Sequence, residues 1–177
     1  MIEVINILLI IILIFVLIAL FLKLYDLLRP SEAPFVSSPR HIYPQIFRFM
    51  KIQPNDRVYD LGCGNAEFLV YCSQLQPKAT YLGVERGAIP FLLSKISTRS
   101  YKNIKIIYGD INKFRIPKGS KIYAYLSPKS IDKIMKKAPE NSILYSLNFK
   151  SSKVSPTSII KLKNSTSISR KLYIYKK

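Results

Sequence analysis

The chain has 177 residues, with 28 basic against 10 acidic side chains and a formal net charge of +18. That charge directs it toward anionic surfaces: nucleic acid, acidic lipid or an acidic protein. One histidine and two cysteines exclude an ordinary zinc site, a Ser-His-Asp triad and a Cys-His pair.

The first element is an almost unbroken run of Ile, Leu, Val and Phe from Val4 to Leu22, interrupted only by Asn6. A helix of that length reaches roughly 28 Å, which matches a hydrocarbon core of ~30 Å. Glu3 near the start and the lack of an A-x-A site favour an uncleaved anchor over a signal peptide. Lys23, Arg29 and Arg40 follow the run, so the positive-inside rule places the remainder on the cytoplasmic side. The expected organisation is an anchor over 1–24, a connector over 25–40 and a globular domain over 41–177. The connector holds three prolines and three serines between Pro30 and Pro39, and its A-P-F-V-S-S-P is more specific than a linker requires. Ile42, Ile46, Phe47 and Phe49 then predict a helix over 39–50, interrupted by Pro44.

From Asp56 onward the pattern alternates. Strands are predicted at Arg57–Leu61, Thr80–Val84, Ile104–Tyr108, Lys121–Leu126 and Ser142–Phe149. Helices are predicted at Ala66–Gln74, Ile89–Thr98 and Ser130–Ala138. Two further strands, Ser158–Leu162 and Lys171–Tyr175, have no helix between them. This order predicts an α/β fold: a mostly parallel, Rossmann-like sheet closed by a C-terminal antiparallel hairpin.

The most informative stretch is V-Y-D-L-G-C-G-N-A-E-F, from Val58 to Phe68. It reads as a buried strand, a tight turn at Gly62 and Gly64, and the first turn of a helix. A dinucleotide fingerprint needs a third glycine where Glu67 stands, and a carboxylate there is a poor neighbour for pyrophosphate. Asp60 before the turn, with no phosphate-binding lysine nearby, suits a cationic nucleoside. S-adenosylmethionine fits, having an ammonium, a sulfonium and a ribose but no phosphate. Cys63 reads as a small residue that fits the turn, not a nucleophile.

Ligands of open α/β sheets sit outside the carboxyl ends of the strands. Here those ends carry Asp60, Glu85, Asp110 and Ser127-Pro128, so three of the ten acidic residues cap three successive strands. Asp60 is placed to receive the methionine ammonium. Glu85 is placed for the ribose diol, and Asp110 for the adenine amine with Ile111 on the ring face. The amine of an acceptor would be aimed by groups near Leu126, Ser127 and Pro128, with Tyr125 as an aromatic wall. No metal is expected.

D-L-G-C-G, Y-L-G-V-E and Y-G-D-I, in that order and at those spacings, resemble the class I S-adenosylmethionine-dependent methyltransferases. The apolar N-terminus, P-F-V and Y-L-S-P narrow the likeness to the membrane-anchored ATP synthase c-subunit lysine N-methyltransferase family and its prokaryotic relatives. That resemblance implies methyl transfer to a lysine of a membrane-associated protein. It implies cofactor contacts at Asp60, Gly62, Gly64, Glu85 and Asp110, with Pro34-Phe35-Val36 and Tyr125, Leu126, Ser127 and Pro128 lining the cofactor and acceptor pocket. Cys63 in the turn and Ile111 after the third strand complete the expected cofactor-binding set by position. Two departures stand out: Asn65 replaces an acidic residue and Ala66 replaces the last glycine of G-x-G-x-G. Two other functions remain open: an RNA methyltransferase, and a non-catalytic, membrane-tethered protein that binds cofactor or lipid.

Overall fold

The computed structural model describes residues 2–28, 37–163 and 170–177. The P-F-V expectation at Pro34–Val36, including Phe35, lies outside the described residues.

Helix α1 (Ile2–Leu28) is apolar on every side, and 24 of its residues, Ile2–Tyr25, are long and apolar enough to cross a membrane. A short 3₁₀ turn (Arg40–Ile42) leads into α2 (Tyr43–Met50). Pro44 does not interrupt that helix as the sequence suggests. It sits in the first turn, where its missing N–H has no intrahelical partner to lose.

The remaining elements are β1 (Arg57–Leu61), α3 (Glu67–Leu75), β2 (Thr80–Glu85), α4 (Ala88–Thr98), β3 (Ile104–Tyr108), β4 (Lys121–Ala124), α5 (Pro128–Lys137), β5 (Ile143–Leu147), β6 (Ser158–Leu162) and β7 (Arg170–Lys176). They form one seven-stranded sheet of order β3-β2-β1-β4-β5-β7-β6. The first five strands are parallel, and β7 runs antiparallel between β5 and β6. Strand β4 ends at Ala124, two residues before the expected Leu126. Its partners β1 and β5 run out there too, with Ala124 paired to Leu61 and Ser146. Strand β5 stops at Leu147, where Asn148 turns left-handed with φ 60°.

Strand alternation divides the core into two layers. Val58, Tyr81, Tyr123 and Tyr145 face α2 and α3 and pack on Ile46, Met50, Phe68, Leu69 and Cys72. Tyr59, Leu61, Ile122, Ala124 and Leu144 face the other way and pack on Ile131, Ile134 and Met135 of α5. Each fully buried large side chain contributes about 1.5–3 kcal/mol. Because β1, β2 and β3 are adjacent and parallel, their carboxyl ends lie side by side on one rim. The rim therefore carries Asp60, Glu85 and Asp110 in the order of the strands.

Candidate cofactor cleft

The glycine turn hangs from the end of β2. The Gly62 and Cys63 amides donate to the Val84 carbonyl at 2.8 and 3.2 Å, and the Gly64 amide donates to Glu85 Oε2 at 2.8 Å. Gly62 has φ +83°, and a Cβ there would lie 2.9 Å from Cδ2 of Leu126, so only glycine fits. Gly83 serves the turn by its size: a Cβ would lie 2.5 Å from Sγ of Cys63. Burial pushes the Cys63 and Cys72 thiols up from their ordinary range, which keeps both protonated and unreactive.

A cleft opens beside this turn. Asp60, Gly62, Cys63 and Gly64 line it together with Asn65 and Glu67. Its walls are Ser37, Ser38, Tyr43, Phe68, Tyr123 and Tyr125. The aromatic wall is continuous, with ring centroids 5.3 Å apart for Tyr43–Phe68 and 4.2 Å for Phe68–Tyr123. Tyr123 stands beside Asp60 in the sheet register and shares a 2.6 Å hydrogen bond with Ser38 Oγ, while the Tyr43 hydroxyl donates to the Ser38 carbonyl.

Asp60 and Glu85 are both buried, 4% and 7% exposed, but their surroundings differ. Glu85 accepts from two backbone amides, Gly64 through Oε2 and Gly87 through Oε1. No donor among the described residues reaches the Asp60 carboxylate. Burial, and then the nearby charge of Glu85, push its pKa up to about 8. Asp110 is half-exposed, and its Oδ1 accepts from the backbone and side-chain nitrogens of Asn112.

The structure distributes the other sequence candidates unevenly. Tyr125 lines the cleft and stacks on Phe149 at 5.6 Å, and its hydroxyl accepts from Asn148 and Arg170 at 3.4 Å each. Leu126 packs over Gly62 and is not among the residues lining the cleft. Ser127 is the N-cap of α5, accepting from the Ser130 amide, and Pro128 is that helix's first residue. Their evident role is to start α5. Ile111 packs against the α5-side core, and its carbonyl accepts from the Lys137 ammonium. Glu85, Asp110 and Ile111 lie along the rim beyond the described cleft.

Sequence reasoning missed Tyr123, Ser38 and Phe68. Tyr123 was within reach, since a strand residue level with Asp60 on the neighbouring strand must share its face. Glu67 also lines the cleft, where its carboxylate accepts from Arg40 and Asn65, and the Arg40 bond holds its pKa below the usual carboxylate range. Asn65 thus orients a carboxylate in place of supplying one. Ala66 adopts φ +63° at the N-cap of α3, the left-handed geometry that favours glycine.

The sheet order, the glycine turn after β1 and the acidic rim make up the architecture of class I S-adenosylmethionine-dependent methyltransferases. Comparison with known proteins agrees. The family described as putative methyltransferase matches residues 54–139. A tRNA (guanine-N(7)-)-methyltransferase of Nitrosococcus oceani is 33% identical over 57 residues, covering 31% of this chain and 24% of that protein. The match thus spans about a quarter of that curated relative's length. An RNA methyltransferase from Salinibacter ruber, solved with S-adenosylhomocysteine, superposes with TM-score 0.70 at 16% identity, covering 79% of this chain and 92% of that one. A precorrin-6y C5,15-methyltransferase from Geobacter metallireducens gives TM-score 0.57 at 9% identity, covering 83% and 94%. The ATP synthase c-subunit resemblance finds no counterpart among these relatives.

Proposed function

We propose that this chain is an S-adenosylmethionine-dependent methyltransferase whose acceptor is RNA. The observation that carries the methyltransferase reading is Asp60, a buried carboxylate that no donor among the described residues reaches, at the mouth of the glycine turn. Such a group calls for a cation. The cleft suits S-adenosylmethionine and is hostile to phosphate, since Asp60, Glu67 and Glu85 cluster around the turn and no lysine lines it among the described residues.

In this reading Asp60 receives the methionine ammonium. The Gly62–Gly64 backbone lies against the nucleoside, and the remaining lone pairs of Glu85 accept from the ribose diol. Asp110, through the oxygen that Asn112 does not use, takes the adenine amine beside Ile111. When bound, the cofactor supplies a methyl group on a sulfonium, and its departure needs no acid. The task of the protein is positioning and exclusion of water. Tyr43, Phe68 and Tyr123 close the cleft, and Tyr125 stacked on Phe149 offers a flat platform at its mouth.

That platform favours RNA. Base stacking on an aromatic face is worth about 1–3 kcal/mol per base. Arg170 stands beside Tyr125, and the net charge of +18 attracts a phosphate backbone. The names of the Salinibacter and Nitrosococcus relatives support the same acceptor.

The second reading is lysine methylation of a membrane-associated protein on the cytoplasmic face. It is favoured by the apolar α1. Lysine must shed a proton first, from a reference pKa of ~10.4, and an apolar mouth beside a sulfonium would lower that value.

The test is incubation of the full chain in detergent with methyl-labelled cofactor, source RNA and source membranes. Label in the RNA fraction is expected. Label confined to a small membrane-protein band would replace RNA with lysine. Failure of the full chain to bind S-adenosylhomocysteine in calorimetry would leave only the non-catalytic, membrane-tethered reading.

A further inference from the structure

Helix α4 is amphipathic in the inverse sense. Its inward face carries two hydroxyl residues: Ser94 Oγ donates to the Phe91 carbonyl and Thr98 Oγ1 to the Ser94 carbonyl, and both residues are buried. Its outward face carries Leu92, Leu93 and Ile96, which are 51%, 51% and 62% exposed. A surface helix of a water-soluble domain does the reverse. The apolar area continues onto the sheet edge, where Tyr108 is exposed and packs its ring 5.2 Å from Phe91.

Two further observations indicate what covers this face. Helix α1 touches α4. Among the side chains described for α1, only Ala19 and Leu22 are partly covered, and both lie in the last third of the apolar run. Helix α4 therefore stands at the level where a spanning α1 leaves the hydrocarbon. In addition, no acidic residue occurs between Ala88 and Gly109, while Lys95, Arg99 and Lys102 are all exposed or partly exposed there. Apolar residues flanked by long cations match a helix lying in the interface of an anionic bilayer, with the cations reaching the headgroup phosphates.

We propose that α4 is a second membrane contact. It seats the domain on the same anionic leaflet from which α1 emerges, through Leu92, Leu93 and Ile96. This inference rests on α1 crossing the bilayer and is independent of the methyl acceptor. Its effect is to fix the β3 edge of the sheet against the membrane and leave α5, with its outward Lys136, toward water.

The full chain, reconstituted in phosphatidylcholine vesicles containing phosphatidylglycerol, supplies the test. Nitroxide labels are placed by Leu93→Cys, Leu13→Cys or Lys136→Cys; the native Cys63 and Cys72 are buried. Collision with oxygen, which concentrates in lipid, is compared with collision with a water-soluble nickel complex. The expected result is that labels at 13 and 93 are reached by oxygen and shielded from nickel, while the label at 136 is open to nickel. Adding Ile96→Glu, or omitting phosphatidylglycerol, should raise nickel access at 93 several-fold and leave 13 unchanged. Nickel access at 93 with 13 still in lipid overturns the docking of α4 and leaves the anchor standing. Nickel access at both positions overturns the spanning helix as well. Shielding of 93 from both reagents assigns the face to a protein partner and overturns the lipid proposal.

Discussion

Two carboxylates one strand apart, Asp60 and Glu85, show how the same chemical group is put to opposite uses. Neighbouring strands are roughly 4.8 Å apart, so both groups belong to one small region. Glu85 is held by the Gly64 and Gly87 amides, and this grip fixes the glycine turn. Asp60 has no donor among the described residues, and burial favours its protonated form. One carboxylate is engaged by the protein's own amides, and the other is the group that the proposed reading pairs with a cation. A buried acid that its own protein solvates poorly either keeps its proton or takes a cation from outside, which makes it a candidate binding group.

The largest expected effect comes from Glu85→Ala. It should destabilise the protein by about 1–3 kcal/mol for each amide left without its acceptor, as read from a denaturant or thermal midpoint. Affinity for S-adenosylhomocysteine should fall by roughly tenfold to hundredfold in calorimetry as the turn loosens.

Asp60→Asn should separate the two properties. The ligand-free protein should gain about 1–3 kcal/mol at neutral pH, since a buried group that is costly to ionise is replaced by a neutral one. Affinity for S-adenosylmethionine should drop at the same time. A destabilised Asp60→Asn protein that still binds cofactor would show that Asp60 acts as Glu85 does.

The pH dependence follows from the same group. Its pKa is about 8 in the folded protein against an ordinary 3.8, so between those values the native state keeps a proton that the unfolded chain has lost. This contribution to stability is fully present below about 4 and declines as pH rises through about 8. Cofactor affinity should move oppositely and strengthen toward pH 8, because the cation binds the ionised form. In the Asp60→Asn protein both slopes should flatten.

The smallest effect belongs to the third acidic tip. In Asp110→Asn the side-chain oxygen that accepts from Asn112 is kept, so stability should change by no more than about 0.5 kcal/mol. Affinity for S-adenosylhomocysteine should weaken modestly.

Much of this site was legible in the sequence because it depends on local order. Hydrophobic runs set the strand limits at Arg57–Leu61, Ile104–Tyr108 and Ser158–Leu162, and in a parallel sheet the tips of adjacent strands must share a rim. The glycines of the turn announced a close approach that the Leu126 contact with Gly62 makes concrete. What stayed hidden depends on partners distant in the chain. Nothing in the sequence pairs Ser38 with Tyr123 across 85 positions, or says that Glu85 would be gripped by amides and Asp60 left alone. Ser127 and Pro128 read as acceptor residues from their place at a strand end and from the resemblance, whereas Ser-Pro before an amphipathic run is also a helix start, and that is how the chain uses it. The lysine-directed likeness rested on three features, the apolar N-terminus, P-F-V and Y-L-S-P, and the second of these lies outside the described residues.

The bond between Ser38 and Tyr123 also ties the segment ahead of α2 to the cleft. Ser37 and Ser38 belong to the stretch read from the sequence as a connector, yet they form one wall of the cleft. A version trimmed back to His41 would lose that wall along with α1. If such a version failed to bind S-adenosylhomocysteine, the breached wall would account for the loss without any part played by α1.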